Sequence, residues 1–126
     1  MIEQKDIEQY IRKNLHQLTH GDWCDICQYY KLSESFMREF ANDIEWLYVC
    51  QYQKMSEEFM REFPMKLWIM EVFKYQKITP DFVYWLFSLD DLVDQFDEYR
   101  ASSILNLLKQ RNIIFDETKG RFKWKS

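Results

Sequence analysis

Two glycines and two prolines are all that this chain of 126 residues contains. Folds rich in β-structure need such residues at their many turns, so this scarcity favours helices joined by short links. The cysteines number three, an odd count that argues against a disulfide framework and fits a reducing compartment. No apolar run approaches the roughly 20 residues that cross a bilayer. FVYWLF at 82–87 is the longest candidate, and the opening MIEQKDIEQYIRKN lacks the apolar centre of a signal peptide. A cytoplasmic protein with no membrane association is therefore expected. A Gly-rich phosphate loop, G-x-S-x-G, H-E-x-x-H and a dinucleotide fingerprint are all missing, which points to a non-catalytic protein without a cofactor.

What the chain does have is apolar and aromatic residues, at 47% and 18%, which excludes a disordered polymer and supplies one core. A single domain over 1–126 is expected. Its charge is divided. Residues 1–99 carry 10 basic and 19 acidic side chains, whereas residues 100–126 carry seven and two. An acidic body with a basic end excludes a general nucleic-acid binder but leaves the end as one.

The chain also repeats itself. LSESFMREF at 32–40 recurs as MSEEFMREF at 55–63 and is echoed by ITPDFVYWL at 78–86, each 23 residues on. Ser33, Ser56 and Thr79 precede an acidic, apolar-periodic run, the pattern of a helix N-cap whose oxygen accepts a free amide hydrogen. Pro80 suits the first helical position. Glu34, Glu57 and Asp81 suit the first turn, where the helix dipole favours negative charge. Phe36 with Phe40, and Phe59 with Phe63, lie one turn apart. The other half of each unit aligns through Ile26, Val49 and Val72, through Tyr29, Tyr52 and Tyr75, and through Lys31, Lys54 and Lys77. Trp23 and Trp46 match; Trp68 stands one position early, after the shorter Pro64 joint. These tryptophans and the Phe series read as core, Asp22 and Asp43 read as caps, and Tyr30, Tyr48 and Tyr84 are expected at the surface.

The spacing thus predicts three tandem αα repeats of 23 residues over 20–87, whose two-turn helices need their neighbours for stability. The pattern W-x-x-[IV]-x-x-Y-[QY]-K-[LMI]-[ST]-x-x-F resembles short repeats in uncharacterised proteins of bacteriophages and large DNA viruses. That resemblance implies a viral or phage origin and a helical array, and it transfers no activity or catalytic residue. The Pro64 joint departs from it.

The flanks complete an all-α architecture. A capping helix is expected over 6–18, with Asp6 as cap and Ile7, Ile11, Leu15 and Leu18 inward. Two further helices are expected over 88–112. The first is capped by Ser88 and has Leu92 and Phe96 inward; the second has Leu105 and Leu108 on one face. A small β-hairpin over 113–125 is expected to turn at Gly120. Helix, helix and basic hairpin resembles the second half of a winged helix, although the would-be recognition helix offers only Lys109 and Arg111 as basic residues.

Three constellations could carry chemistry. His16, His20, Cys24 and Cys27, spaced four, four and three apart, are one set of zinc ligands. The competing reading is packed small cysteines, because Cys27 aligns with Cys50 and Phe73. Asp90, Asp91, Asp94, Asp97 and Glu98 form an acidic helix face, either solvated or presented to a partner in imitation of DNA phosphates. Lys109, Arg111, Lys119, Arg121, Lys123, Trp124 and Lys125 would bind nucleic acid by phosphate contact and base stacking, against the reading of a lysine-protected edge strand. The leading expectation is a viral protein-binding module, one concrete form being an inhibitor of a host defence complex such as a CRISPR effector. The alternatives are a nucleic-acid binder acting through the C-terminus and a zinc-stabilised domain.

Overall fold

The computed structural model describes residues 4–89 and 101–126. Those residues are mostly helical, with one small antiparallel hairpin near the C-terminus. In chain order the elements are α1 (Gln4–Lys13), α2 (His20–Tyr29), α3 (Glu34–Glu39), α4 (Trp46–Tyr52), α5 (Glu57–Glu62), α6 (Ile69–Tyr75), α7 (Pro80–Phe87), α8 (Ala101–Gln110), β1 (Ile113–Asp116) and β2 (Arg121–Trp124). The expected helix over the acidic stretch, with its Leu92 and Phe96, lies outside the described residues, as do Asp90, Asp91, Asp94, Asp97 and Glu98.

Helices α3, α5 and α7 begin at successive steps of 23 residues, and α4 and α6 are 23 apart. Ser33, Ser56 and Thr79 cap the first three through side-chain oxygens that accept from Phe36, Phe59 and Phe82 N–H. Each capping residue is also gripped from behind. Glu8 accepts the Ser33 N–H on one carboxylate oxygen and the Ser33 hydroxyl on the other, at 2.9 and 3.2 Å. Glu34 does the same for Ser56, and Glu57 for Thr79, at 2.6 and 3.0 Å in both cases. Glu34 and Glu57, expected only to favour their own helix dipoles, therefore also bind the following cap. Where the next such residue would stand is Pro80, and the series stops.

A second row of bonds joins the inner helices. α2 packs on α4, α4 on α6, and α6 on α8. Gln53, just past the end of α4, is buried; its amide donates to Cys27 O (2.8 Å) and Tyr30 O (2.6 Å), and its oxygen accepts from Leu32 N–H (2.9 Å). Gln76, just past α6, repeats all three contacts one step on, with Cys50 O, Gln53 O and Met55 N–H. These glutamines satisfy the carbonyls that a helix C-terminus leaves without intrahelical partners. Arg111, just past α8, closes the row by donating to Phe73 O and Gln76 O, both at 2.6 Å. α8 thus stands in the place that a further inner helix would take.

On α1, α3 and α5, the guanidinium groups of Arg12, Arg38 and Arg61 lie 5.4 Å from the ring centres of Phe36, Phe59 and Phe82. Arg12 and Arg38 also pair with Glu39 and Glu62, whose carboxyls they hold below the usual range. Trp85 occupies the third carboxylate position, and Arg61 lies over it at 4.8 Å.

Several expectations are corrected. α1 ends at Lys13, where the Asn14 side-chain amide donates to Tyr10 O, and a short 3-10 turn follows at Leu15–Gln17. Leu15 is consequently exposed, while Ile7 and Ile11 are buried. Asp6 lies inside the first turn rather than at the cap. α2 begins at His20, capped by Thr19, and Asp22 returns the bond as the partner in a capping box. Asp43 caps nothing; Glu45 is the N-cap of α4, without a side-chain bond. Trp68 is 49% exposed because it is the N-cap residue of α6, so Ile69 fills the slot held by Trp46. Ser88 closes α7, its hydroxyl donating to Trp85 O. On α8 the inward pair is Ile104 and Leu108, leaving Leu105 exposed.

The hairpin forms as expected, with Ile113 opposite Trp124 and Asp116 opposite Arg121. Asp116 organises the turn by accepting from Thr118 N–H and hydroxyl, and Gly120 takes the left-handed conformation (φ 66°) that the turn requires. Phe122 is buried against Phe87, ring centres 5.2 Å apart, which docks the hairpin on α7.

Candidate functional site

The same backbone geometry recurs where α2, α4 and α6 end. The residue after each helix (Tyr30, Gln53, Gln76) is extended. Extended chain sends successive side chains to opposite sides. Tyr29, Tyr52 and Tyr75 point out; Gln53 and Gln76 are buried; Lys31, Lys54 and Lys77 point out; Leu32, Met55 and Ile78 are buried. The result is an edge of tyrosines, 71, 53 and 59% exposed, each followed two residues later by an exposed lysine. Between the first two corners lies a cleft of about 330 Å³, whose walls include Tyr29, Lys31, Tyr52 and Lys54. Gln28 donates to the Tyr52 hydroxyl across it (3.3 Å). None of the three lysines makes an ion pair among the described residues. Tyr84 is exposed as expected, whereas Tyr30 and Tyr48 are half-buried.

The basic C-terminal set is only partly brought together. Arg121, Lys123 and Trp124 border a shallow cleft of about 430 Å³ with Thr79, Pro80 and Asp81. Lys123 pairs with Asp116 at 3.7 Å, and Asp81 sets a negative charge on the opposite wall. Lys109, Lys119 and Lys125 are exposed but do not line it. Arg111 is not part of this surface, because both of its terminal nitrogens are bonded to the end of α6.

The four candidate zinc ligands, set against the preferred reading of packed cysteines, do not assemble as a set. His16 sits on the 3-10 turn beside Gln17. Cys27 is buried, and its sulfur accepts from the backbone N–H of Glu45; Cys50 does the same with Trp68 N–H. Each buried thiol thus faces the amide of the residue that caps the next inner helix, and burial pushes Cys27 up to about 11 and Cys50 up to about 12. His20 and Cys24 do meet, at 3.6 Å between Nε2 and Sγ. Their third neighbour is Glu45, whose carboxylate lies 3.5 Å from His20 Nε2. Glu45 drew no attention in the sequence because it stands 21 residues beyond Cys24, in a different helix pair.

The buried thiols make stability depend on alkaline pH. Their folded pKa is raised, so their contribution is complete below about pH 9 and is lost as pH climbs towards 11 and 12. Over that window each thiol removes about 1.4 kcal/mol per pH unit. Urea unfolding at about pH 8 and about pH 10.5 should show this fall, and Cys50→Ala should make it shallower. An unchanged slope would mean that Cys50 is not held protonated by the fold.

No helix among the described residues is long and apolar enough to cross a membrane. Comparison of the chain with protein-family models, with curated proteins and with solved structures finds no match.

Proposed function

We propose that this chain is a non-catalytic protein-binding module. It is built from three successive helix pairs between a covering α1 and a closing α8, and it grips an acidic partner surface along the Tyr29–Tyr52–Tyr75 edge. The observation that carries this reading is the recurrence of an exposed tyrosine and an exposed lysine at three consecutive corners. Tyrosine supplies large, rigid contact area at low entropic cost, and a row of lysines without ion pairs among the described residues favours carboxylates. Burying Gln53 and Gln76 explains why the corners exist; it does not explain why tyrosine flanks them. A host defence complex as the partner rests on the repeat resemblance and the small size of the chain.

The test is the triple substitution Tyr29→Ser, Tyr52→Ser and Tyr75→Ser. Surface changes of this kind leave stability within about 0.5 kcal/mol per site. A partner identified by cross-linking in nuclease-treated extract should be lost at least tenfold from the variant, with Tm nearly unchanged. Full retention of the partner would remove this edge from the interface.

A second reading, binding of single-stranded nucleic acid at the hairpin, is favoured by Arg121, Lys123 and exposed Trp124 around one cleft. It expects affinity to fall steeply with salt, and Arg121→Ala with Lys123→Ala to lower the slope by about one to two. Salt-independent binding would exclude it.

A further inference from the structure

We propose that His20, Cys24 and Glu45 form a site for one divalent cation of the zinc type, with a fourth coordination position open to solvent. The three ligand atoms lie within 4.8 Å of one another. His20 and Cys24 are one helical turn apart on α2, so their side chains share a face. Glu45 enters from the start of α4, the neighbouring inner helix.

The separations suit a tetrahedral ion. Bonds of about 2.3 Å to thiolate sulfur, 2.0–2.1 Å to imidazole nitrogen and 2.0–2.2 Å to carboxylate oxygen place N and S about 3.6 Å apart, and N and O about 3.4 Å apart. The observed values are 3.6 Å for His20 Nε2 to Cys24 Sγ and 3.5 Å for His20 Nε2 to Glu45 Oε2. The third separation, Cys24 Sγ to the Glu45 carboxylate, is within 4.8 Å against about 3.6 Å around a tetrahedral ion, so the carboxylate would turn inward on binding. A single imidazole nitrogen faces both partners, which a simple His–Glu ion pair does not require.

The donor types select the ion. Sulfur, nitrogen and oxygen together favour zinc over magnesium or calcium, which take oxygen donors. Cys24 is half-buried, and that burial, followed by the nearby carboxylates of Glu45 and Asp25, pushes its thiol up. A bound cation reverses that balance, forming the metal–sulfur bond as the Cys24 proton leaves to solvent. Cys27 takes no part, because its sulfur lies in the core against Glu45 N–H. An ion here would clamp the first two inner helices together at an edge where α4 has no side-chain cap.

The full chain, stripped of metal with a chelator, would be titrated with zinc, with magnesium as the control. One equivalent is expected to bind, raising Tm by about 8 °C at a hundredfold excess over Kd. Cobalt should give a thiolate charge-transfer absorption that Cys24→Ser abolishes and Cys27→Ala retains. His20→Ala and Glu45→Gln should each weaken binding at least tenfold. All three ligand side chains are outside the core, so folding of these variants can be checked first by circular dichroism. A missing cobalt band would overturn the site. So would a band that survives Cys24→Ser, or affinity unchanged in Glu45→Gln.

Discussion

Gln76→Ala is expected to cost about 3–5 kcal/mol, a large share of the stability of a domain this size. The side chain is buried and makes three bonds: 2.9 Å to Cys50 O, 2.6 Å to Gln53 O and 3.0 Å from Met55 N–H. Truncation strands two carbonyls and one amide hydrogen in a place that water does not readily enter, and each orphaned group costs about 1–3 kcal/mol. Gln76→Met tests whether shape or bonding matters, since it fills the space without pairing the groups and should be nearly as damaging. Gln76→Glu keeps the acceptor for Met55 but turns a charge towards two carbonyls, so it should be no better than alanine. Urea unfolding of the three variants gives the comparison. A loss below about 1 kcal/mol in Gln76→Ala would mean that the end of α4 is completed by other means.

Phe59→Ala should be comparably severe, at about 3–5 kcal/mol, by lost burial and an unfilled cavity. Phe59 is fully buried and touches three kinds of neighbour. Trp46 stacks at 6.1 Å, Phe63 tilts against it at 5.1 Å, and the Arg38 guanidinium covers it at 5.4 Å. Phe59→Leu, which keeps most of the volume, should cost less than about 1.5 kcal/mol. Trp68→Ala is the matched control. As an exposed N-cap residue Trp68 should be replaceable within about 0.5 kcal/mol, although it is the larger aromatic. Equal losses at Phe59 and Trp68 would contradict the burial described for both.

The contrast between these two residues shows where the sequence was legible. Ser33, Ser56 and Thr79 announced three helix starts correctly because a cap is a local device that acts within one turn. The hairpin was legible for the same reason, with alternating residues on either side of a glycine turn. Trp68 misled because matching it to Trp23 and Trp46 by residue type outweighed the spacing, which points to Ile69. The Gln53 and Gln76 bonds left a trace, since Gln53 falls on the inward face by helical spacing. A buried amide is nevertheless unexpected until the carbonyls that it serves are in view. Arg111 could not be read at all, because it follows Gln76 by 35 residues rather than 23 and differs in type. Of the candidate site residues, His20 and Cys24 were legible through their one-turn spacing on α2. Glu45 was not, because its approach depends on how α4 lies beside α2.

The way the glutamines and glutamates reach between neighbours bears on how such a chain can change length. Each of the first two helix pairs offers forward-facing acceptors, the last carbonyls of its inner helix, and receives from its successor the amide that binds them. It also sends a carboxylate forward to the next cap. Leading and trailing sides are therefore complementary, and a duplicated copy of 23 residues inserted in frame would meet ready partners on both sides. Only the terminal pieces are bespoke: Glu8 starts the carboxylate series from a helix of different spacing, and Arg111 ends the amide series with a guanidinium. Growth or loss by tandem duplication would leave those two ends untouched, so the number of corners on the tyrosine edge, and with it the length of surface offered to the proposed partner, is the property that this architecture leaves easiest to alter.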